Sequence, residues 1–144
     1  MPNSHPTPGS SSGPEMFGRS ISRLAEQPQL DFELEFFTQL LQRLPDFAEV
    51  LRVQASNYSL KGLLTEGLKV DQYLVKIRPT DPTAHYNLAC RYALLRQPDL
   101  ALKTLRRAVE LGYRDFRYMN QDRDLESIRK DPRYRQILQE FAKR

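Results

Sequence analysis

Few side chains in this sequence carry reactive chemistry, and their spacing limits what they can do. Cys90 is the single cysteine, and His5 and His85 are the two histidines. One thiol excludes an intramolecular disulfide and a multi-thiolate metal site. Cys90 and His85 stand five residues apart. On a helix that spacing is about 500°, or about 140° after a full turn, so thiol and imidazole point to different sides. A Cys–His nucleophile pair needs hydrogen-bond reach, and a metal site built on the same two residues needs more ligands. Gly9, Gly13 and Gly18 are scattered and form no phosphate loop. There is no G-x-S-x-G elbow and no H-E-x-x-H pair. The sequence therefore points away from an enzyme, and no catalytic, cofactor-binding or metal residue is assigned.

The elements that position these residues are read from an internal period. Pro45 ends the apolar stretch LEFFTQLLQRLP, and Pro79 ends GLKVDQYLVKIRP, 34 residues later. The same offset relates Ala55 to Ala89, Tyr58 to Tyr92 and Leu68 to Leu102, and it spaces the series Leu40, Leu74, Ala108. Apolar periodicity and helix-end signals predict helices near 30–44, 46–60, 63–78, 82–96 and 98–111. Asp81-Pro82 and Gln97-Pro98 place proline in a first helical turn, where its missing N–H costs nothing. Gly62 and Gly112 mark turns after helices. A short helix is expected near 115–119, then a helix capped by Asp122 or Asp124, and a last helix from Asp131-Pro132. Tyr134, Ile137, Leu138 and Phe141 give that last helix an amphipathic stripe. Nothing alternates as a strand, so an all-α fold is expected.

A 34-residue period of paired helices resembles the tetratricopeptide repeat (TPR) family. The likeness is clearest in residues 82–113, where Asn87-Leu88-Ala89, Tyr92, Ala101, Leu105 and Ala108 stand at the family's positions. It is weaker in 48–81, carried by Ala55, Tyr58, Gly62, Gly67 and Leu74. The family's first-helix tryptophan is replaced by Leu51 and His85, and Asp71 stands where a large apolar residue is usual. The ending G-Y-R-D-F, then D-x-D-L-x-x-I-R-x-D-P-R-Y, resembles that of solitary bacterial TPR proteins. The resemblance implies a short α-solenoid: a half unit at 30–45, units at 48–81 and 82–115, and a degenerate cap at 116–144. It also implies that Asp71 faces the next unit's first helix, where a buried carboxylate needs a partner, with His85, Tyr86 or Arg106 the candidates; the alternative is that Asp71 is simply exposed.

Function follows from the same resemblance as an expectation. First helices of successive units line a concave groove, which places Glu49, Arg52, Ser56, Thr83, Tyr86, Asn87 and Cys90 on a partner-binding face. Tyr86 is expected to act as an amphipathic anchor, Arg52 as a forked donor and Cys90 as the floor. Asn87 matches one position of the carboxylate-clamping subfamily, but Val53 occupies the second Asn position. The expected role is a scaffold or adaptor holding a peptide or protein partner. The alternative is nucleic-acid association, because residues 73–144 carry 16 Lys/Arg against 9 Asp/Glu. Those charges are interspersed rather than aligned in a stripe, which disfavours phosphate-backbone binding. Phe32, Phe36, Phe37, Leu40, Leu41 and Leu44 exceed what one helix face needs, so a homodimer through helix 30–44 is also expected. Residues 1–20 hold four Pro, three Gly and five Ser. A disordered tail over 1–29 is expected from that composition. With no apolar stretch fit for a signal peptide or membrane span, the expected location is a bacterial cytoplasm.

Overall fold

A computed structural model describes residues 12–142, with side chains from residue 28 onward. The described residues form helices without strands. In order they are α1 (Ser12–Arg43), α2 (Ala48–Leu60), α3 (Leu64–Ile77), α4 (Pro82–Leu94), α5 (Pro98–Glu110) and α6 (Phe116–Gln121). A 3₁₀ segment (Arg123–Ile128) and α7 (Pro132–Phe141) follow. Helices α2 and α3 form one packed pair and α4 and α5 another, with α3 against α4 joining them.

The pairs turn in the same way, 34 residues apart. After α2, the N–H groups of Lys61, Gly62 and Leu63 donate to the carbonyls of Asn57, Ser59 and Tyr58 at 3.0, 3.0 and 2.8 Å. After α4, Leu95, Arg96 and Gln97 donate to Arg91, Ala93 and Tyr92 at 3.0, 3.1 and 2.9 Å. These bonds satisfy last-turn carbonyls and require a left-handed residue. Gly62 supplies it at φ +79°, whereas Arg96 adopts φ +59° despite its Cβ. The start of α4 is fixed by Asp81, whose carboxylate accepts from the N–H groups of Thr83 and Ala84 at 2.9 and 3.3 Å. Thirty-four residues on, Asp115 caps α6 by accepting from the Tyr118 N–H at 3.0 Å.

The main core lies around α4, α5 and the C-terminal segment. Ala89 and Ala101 are fully buried, so α4 and α5 approach closely at these small residues. Leu105, Ala108 and Val109 from α5 meet Met119, Leu125, Ile128, Tyr134, Ile137 and Phe141 in one cluster. Residues 116–141 are thus an integral layer of this core. A smaller cluster, Ala48, Leu51 and Leu74, holds α2 to α3.

One boundary differs from expectation. The first helix reaches back to Ser12, through Pro28, rather than beginning near residue 30. The stretch Arg19 to Gln27 is rich in helix formers (Arg, Leu, Ala, Glu, Gln), and the composition of residues 1–20 masks this. Of the expected tail, residues 1–11 lie outside the described residues. The break after α6 falls where the sequence places it, with Asp122 capping the next segment, which is a 3₁₀ turn rather than an α-helix. Asp122 leaves helical geometry at ψ +117° and its carboxylate accepts from the Asp124 N–H at 3.0 Å, which starts the 3₁₀ segment instead of prolonging α6.

Candidate functional site

A groove of about 410 Å³ runs between the facing sides of α2 and α4. Arg52, Ser56, Ser59 and Leu60 line it from α2, and Asn87, Cys90, Arg91 and Leu94 from α4. Asp71 and Leu74 of α3 reach its base, and Asp124 lies at one end. Four of the seven residues expected on the binding face therefore come together here: Arg52, Ser56, Asn87 and Cys90. Glu49 and Thr83 are exposed but do not line the groove.

Tyr86 departs from expectation. It is 3% exposed and cannot serve as a surface anchor. Its ring stacks on Tyr113 with centroids 4.1 Å apart and planes 2° from parallel, and its hydroxyl donates to Asp122 at 2.6 Å. The C-terminal segment covers this position, a layer that the repeat period alone does not reveal. The Cys90 thiol points at the same Asp122 carboxylate, 3.7 Å away. Burial, and then the Asp122 charge, pushes this thiol well above its ordinary range. Burial likewise drives up the Tyr86 hydroxyl, and lifts Tyr113 to about 12. A thiol kept protonated is a poor nucleophile. Donor atoms of Cys90, Asp122 and Asp124 lie within 4.8 Å of one another, as a small metal site would require. The Asp122 carboxylate is itself occupied by Tyr86, Cys90 and the Asp124 N–H, which binds these residues into a hydrogen-bonded cluster.

The base of the groove holds a buried ion pair. Asp71 is 3% exposed and Arg91 5%. The Arg91 Nε donates to Asp71 at 2.8 Å, one terminal nitrogen to the Ala55 carbonyl at 3.1 Å, and the other to the Ser59 hydroxyl. Burial pushes the Asp71 carboxyl up, and Arg91 pulls it back towards the ionised form. Gly67, one turn before Asp71, leaves the space the guanidinium fills. A Cβ there would come within 2.5 Å of the Arg91 Cζ. The expected partners of Asp71 are therefore replaced by Arg91. His85 instead bonds the Pro79 carbonyl at 2.8 Å, Tyr86 bonds Asp122, and Arg106 pairs with Glu140 at 2.9 Å. No local signal in the sequence names Arg91, which stands 20 residues from Asp71.

Several basic residues of the C-terminal half are engaged within the chain. Arg133 pairs with Asp99 and Asp131, Arg107 with Glu110, and Arg129 donates to the Met119 and Asp122 carbonyls. Arg52 forms a 2.5 Å ion pair with Asp81, which ties α2 to the start of α4 and holds its head at the groove's edge.

No protein-family model matches the sequence. Among the described residues, no helix is long and apolar enough to cross a membrane. Over 124 residues, 84% of its length, the chain is 32% identical to a chloroplastic protein of Arabidopsis thaliana. That alignment covers 36% of the plant protein, so the chain spans about a third of the relative it matches and is similar to one part of it.

Proposed function

We propose that this chain is a TPR-type interaction module that holds a peptide or protein partner in the groove between α2 and α4, without catalysing a reaction or carrying a cofactor. The observation that carries this reading is the groove itself. It joins accessible donors (Arg52, Ser56, Asn87) to apolar edges (Leu60, Leu94) on a floor fixed by the Asp71–Arg91 pair. A rigid floor with adaptable polar rims suits a short extended segment, because little ordering is needed on binding. The 34-residue recurrence of turn and cap geometry supports the repeat reading.

The test is capture from an immobilised peptide array by the purified chain, repeated with Arg52→Ala and with Asn87→Ala. Loss of capture of about tenfold in either variant, with unchanged circular dichroism, is expected. Retention in both sinks the groove as the site. Capture by nucleic acid that collapses steeply with salt would instead favour the basic C-terminal half. For location, imaging of the tagged chain in its own cells separates the cytoplasmic expectation from the chloroplast placement in the relative's name.

A further inference from the structure

The charges that line the groove are matched at its base and at one end, but not at the other. Arg91 is paired with Asp71 and Arg52 with Asp81. Asp124 stands at the far end, half-buried. Its N–H donates to Asp122, yet its own carboxylate has no hydrogen bond or ion pair among the described residues. The Asp122 carboxylate lies close by, with donor atoms of Asp122, Asp124 and Cys90 within 4.8 Å of one another. Asp122 is held by three neutral donors, the Tyr86 hydroxyl, the Cys90 thiol and the Asp124 N–H. Arg129 reaches its backbone carbonyl, not its carboxylate. Burial, and then Asp122, pushes the Asp124 carboxyl up, and Arg91 offsets this only in part. An ionised carboxylate in such a place gains from an added cation.

The remainder of the groove is neutral. Ser56 and Asn87 line its middle, and among the described residues their side chains make no hydrogen bond. From the Arg52–Asp81 pair to Cys90 the groove follows α4 for about 13 Å. That length takes about four residues of extended chain. A second cavity shares Leu94 and Asp124 with the groove, so the space continues past the free carboxylate. Leu94 gives the stem of a long basic side chain an apolar bed, with Asp124 at its charged head.

We propose that the segment held in the groove carries an arginine or lysine that pairs with Asp124, so that this chain, of formal charge +4, selects a basic peptide. The inference rests on the groove reading and adds the partner's charge to it. A guanidinium or ammonium needs only the free oxygens of Asp124. A metal ion held by the same cluster has to displace the protons that Tyr86 and Cys90 share with Asp122. A phosphate or carboxylate at this end meets like charge.

Two immobilised libraries of short random peptides test it, one with arginine and the other with glutamate fixed at the same central position. The full chain is expected to bind the arginine library at least about tenfold better. Asp124→Asn should remove that preference with the thermal transition unchanged, because the carboxylate carries no bond of its own. Asp124→Arg should turn the preference towards glutamate. Equal binding to both libraries that Asn87→Ala abolishes overturns this inference and leaves the groove reading standing. An arginine preference that survives Asp124→Asn also overturns it. Binding indifferent to Asn87→Ala and to Arg52→Ala, or no binding to either library, overturns both.

Discussion

Arg91 is the residue on which the groove floor depends. Its guanidinium holds together α2 through Ala55 and Ser59, α3 through Asp71, and its own helix α4. Removing one member of a buried pair leaves an uncompensated charge, so Arg91→Met is expected to lower stability by about 3–5 kcal/mol in denaturant melts. The double variant Arg91→Met/Asp71→Leu should recover most of that loss. If it does not, the pair is not the source of the effect. At Arg96 the backbone adopts a left-handed conformation that disfavours a Cβ by about 1–2 kcal/mol. Glycine removes that strain but adds unfolded-state entropy, so Arg96→Gly should stabilise by about 0.5 kcal/mol, read as a small rise in Tm. Cys90 is expected to resist alkylation at neutral pH until denaturant is added, because burial and Asp122 keep the thiol protonated.

Among the elements, α3 and α7 show how one position governs a helix. Gly67 lets α3 approach the Arg91 head, whose donors are already committed to three partners. Gly67→Ala therefore forces the guanidinium out of register, and a loss of about 1–3 kcal/mol is expected despite alanine's better helix propensity. Helix α7 is started by Asp131, which accepts from the Arg133 N–H at 2.9 Å and pairs with its side chain. The Arg133 side chain, and then its N–H, pulls the Asp131 carboxyl from 3.8 down to about 2. The folded value lies below the unfolded one. The cap's contribution is therefore present above about pH 4 and lost as the pH falls towards 2. An NMR titration following the Arg133 amide should show this window, and Asp131→Asn should abolish it.

For the whole molecule, the C-terminal segment is a structural layer rather than an appendage. Met119, Leu125, Ile128, Tyr134, Ile137 and Phe141 complete the core of α4 and α5. Truncation before Pro132 strips Tyr134, Ile137 and Phe141 and is expected to abolish a cooperative thermal transition, since each fully buried large side chain contributes about 1.5–3 kcal/mol. The same layer seals Tyr86 away from the groove.

The sequence by itself determined the helices, their 34-residue spacing and most of their ends, because caps such as Asp81 and turns such as Gly62 are local chemistry within a few residues. It also located Arg52, Ser56, Asn87 and Cys90 on one groove, through the repeat register that the family resemblance supplies. It misplaced the start of α1, where tail-like composition overlaps a run of helix formers. Tertiary structure alone decided which cation answers Asp71, since Arg91 reaches it across two helices and nothing local links residues 20 positions apart. It alone turned Tyr86 from an expected surface anchor into a buried one. The Asp122 that captures its hydroxyl lies 36 residues away, and only the packing of the C-terminal layer brings the two within 2.6 Å.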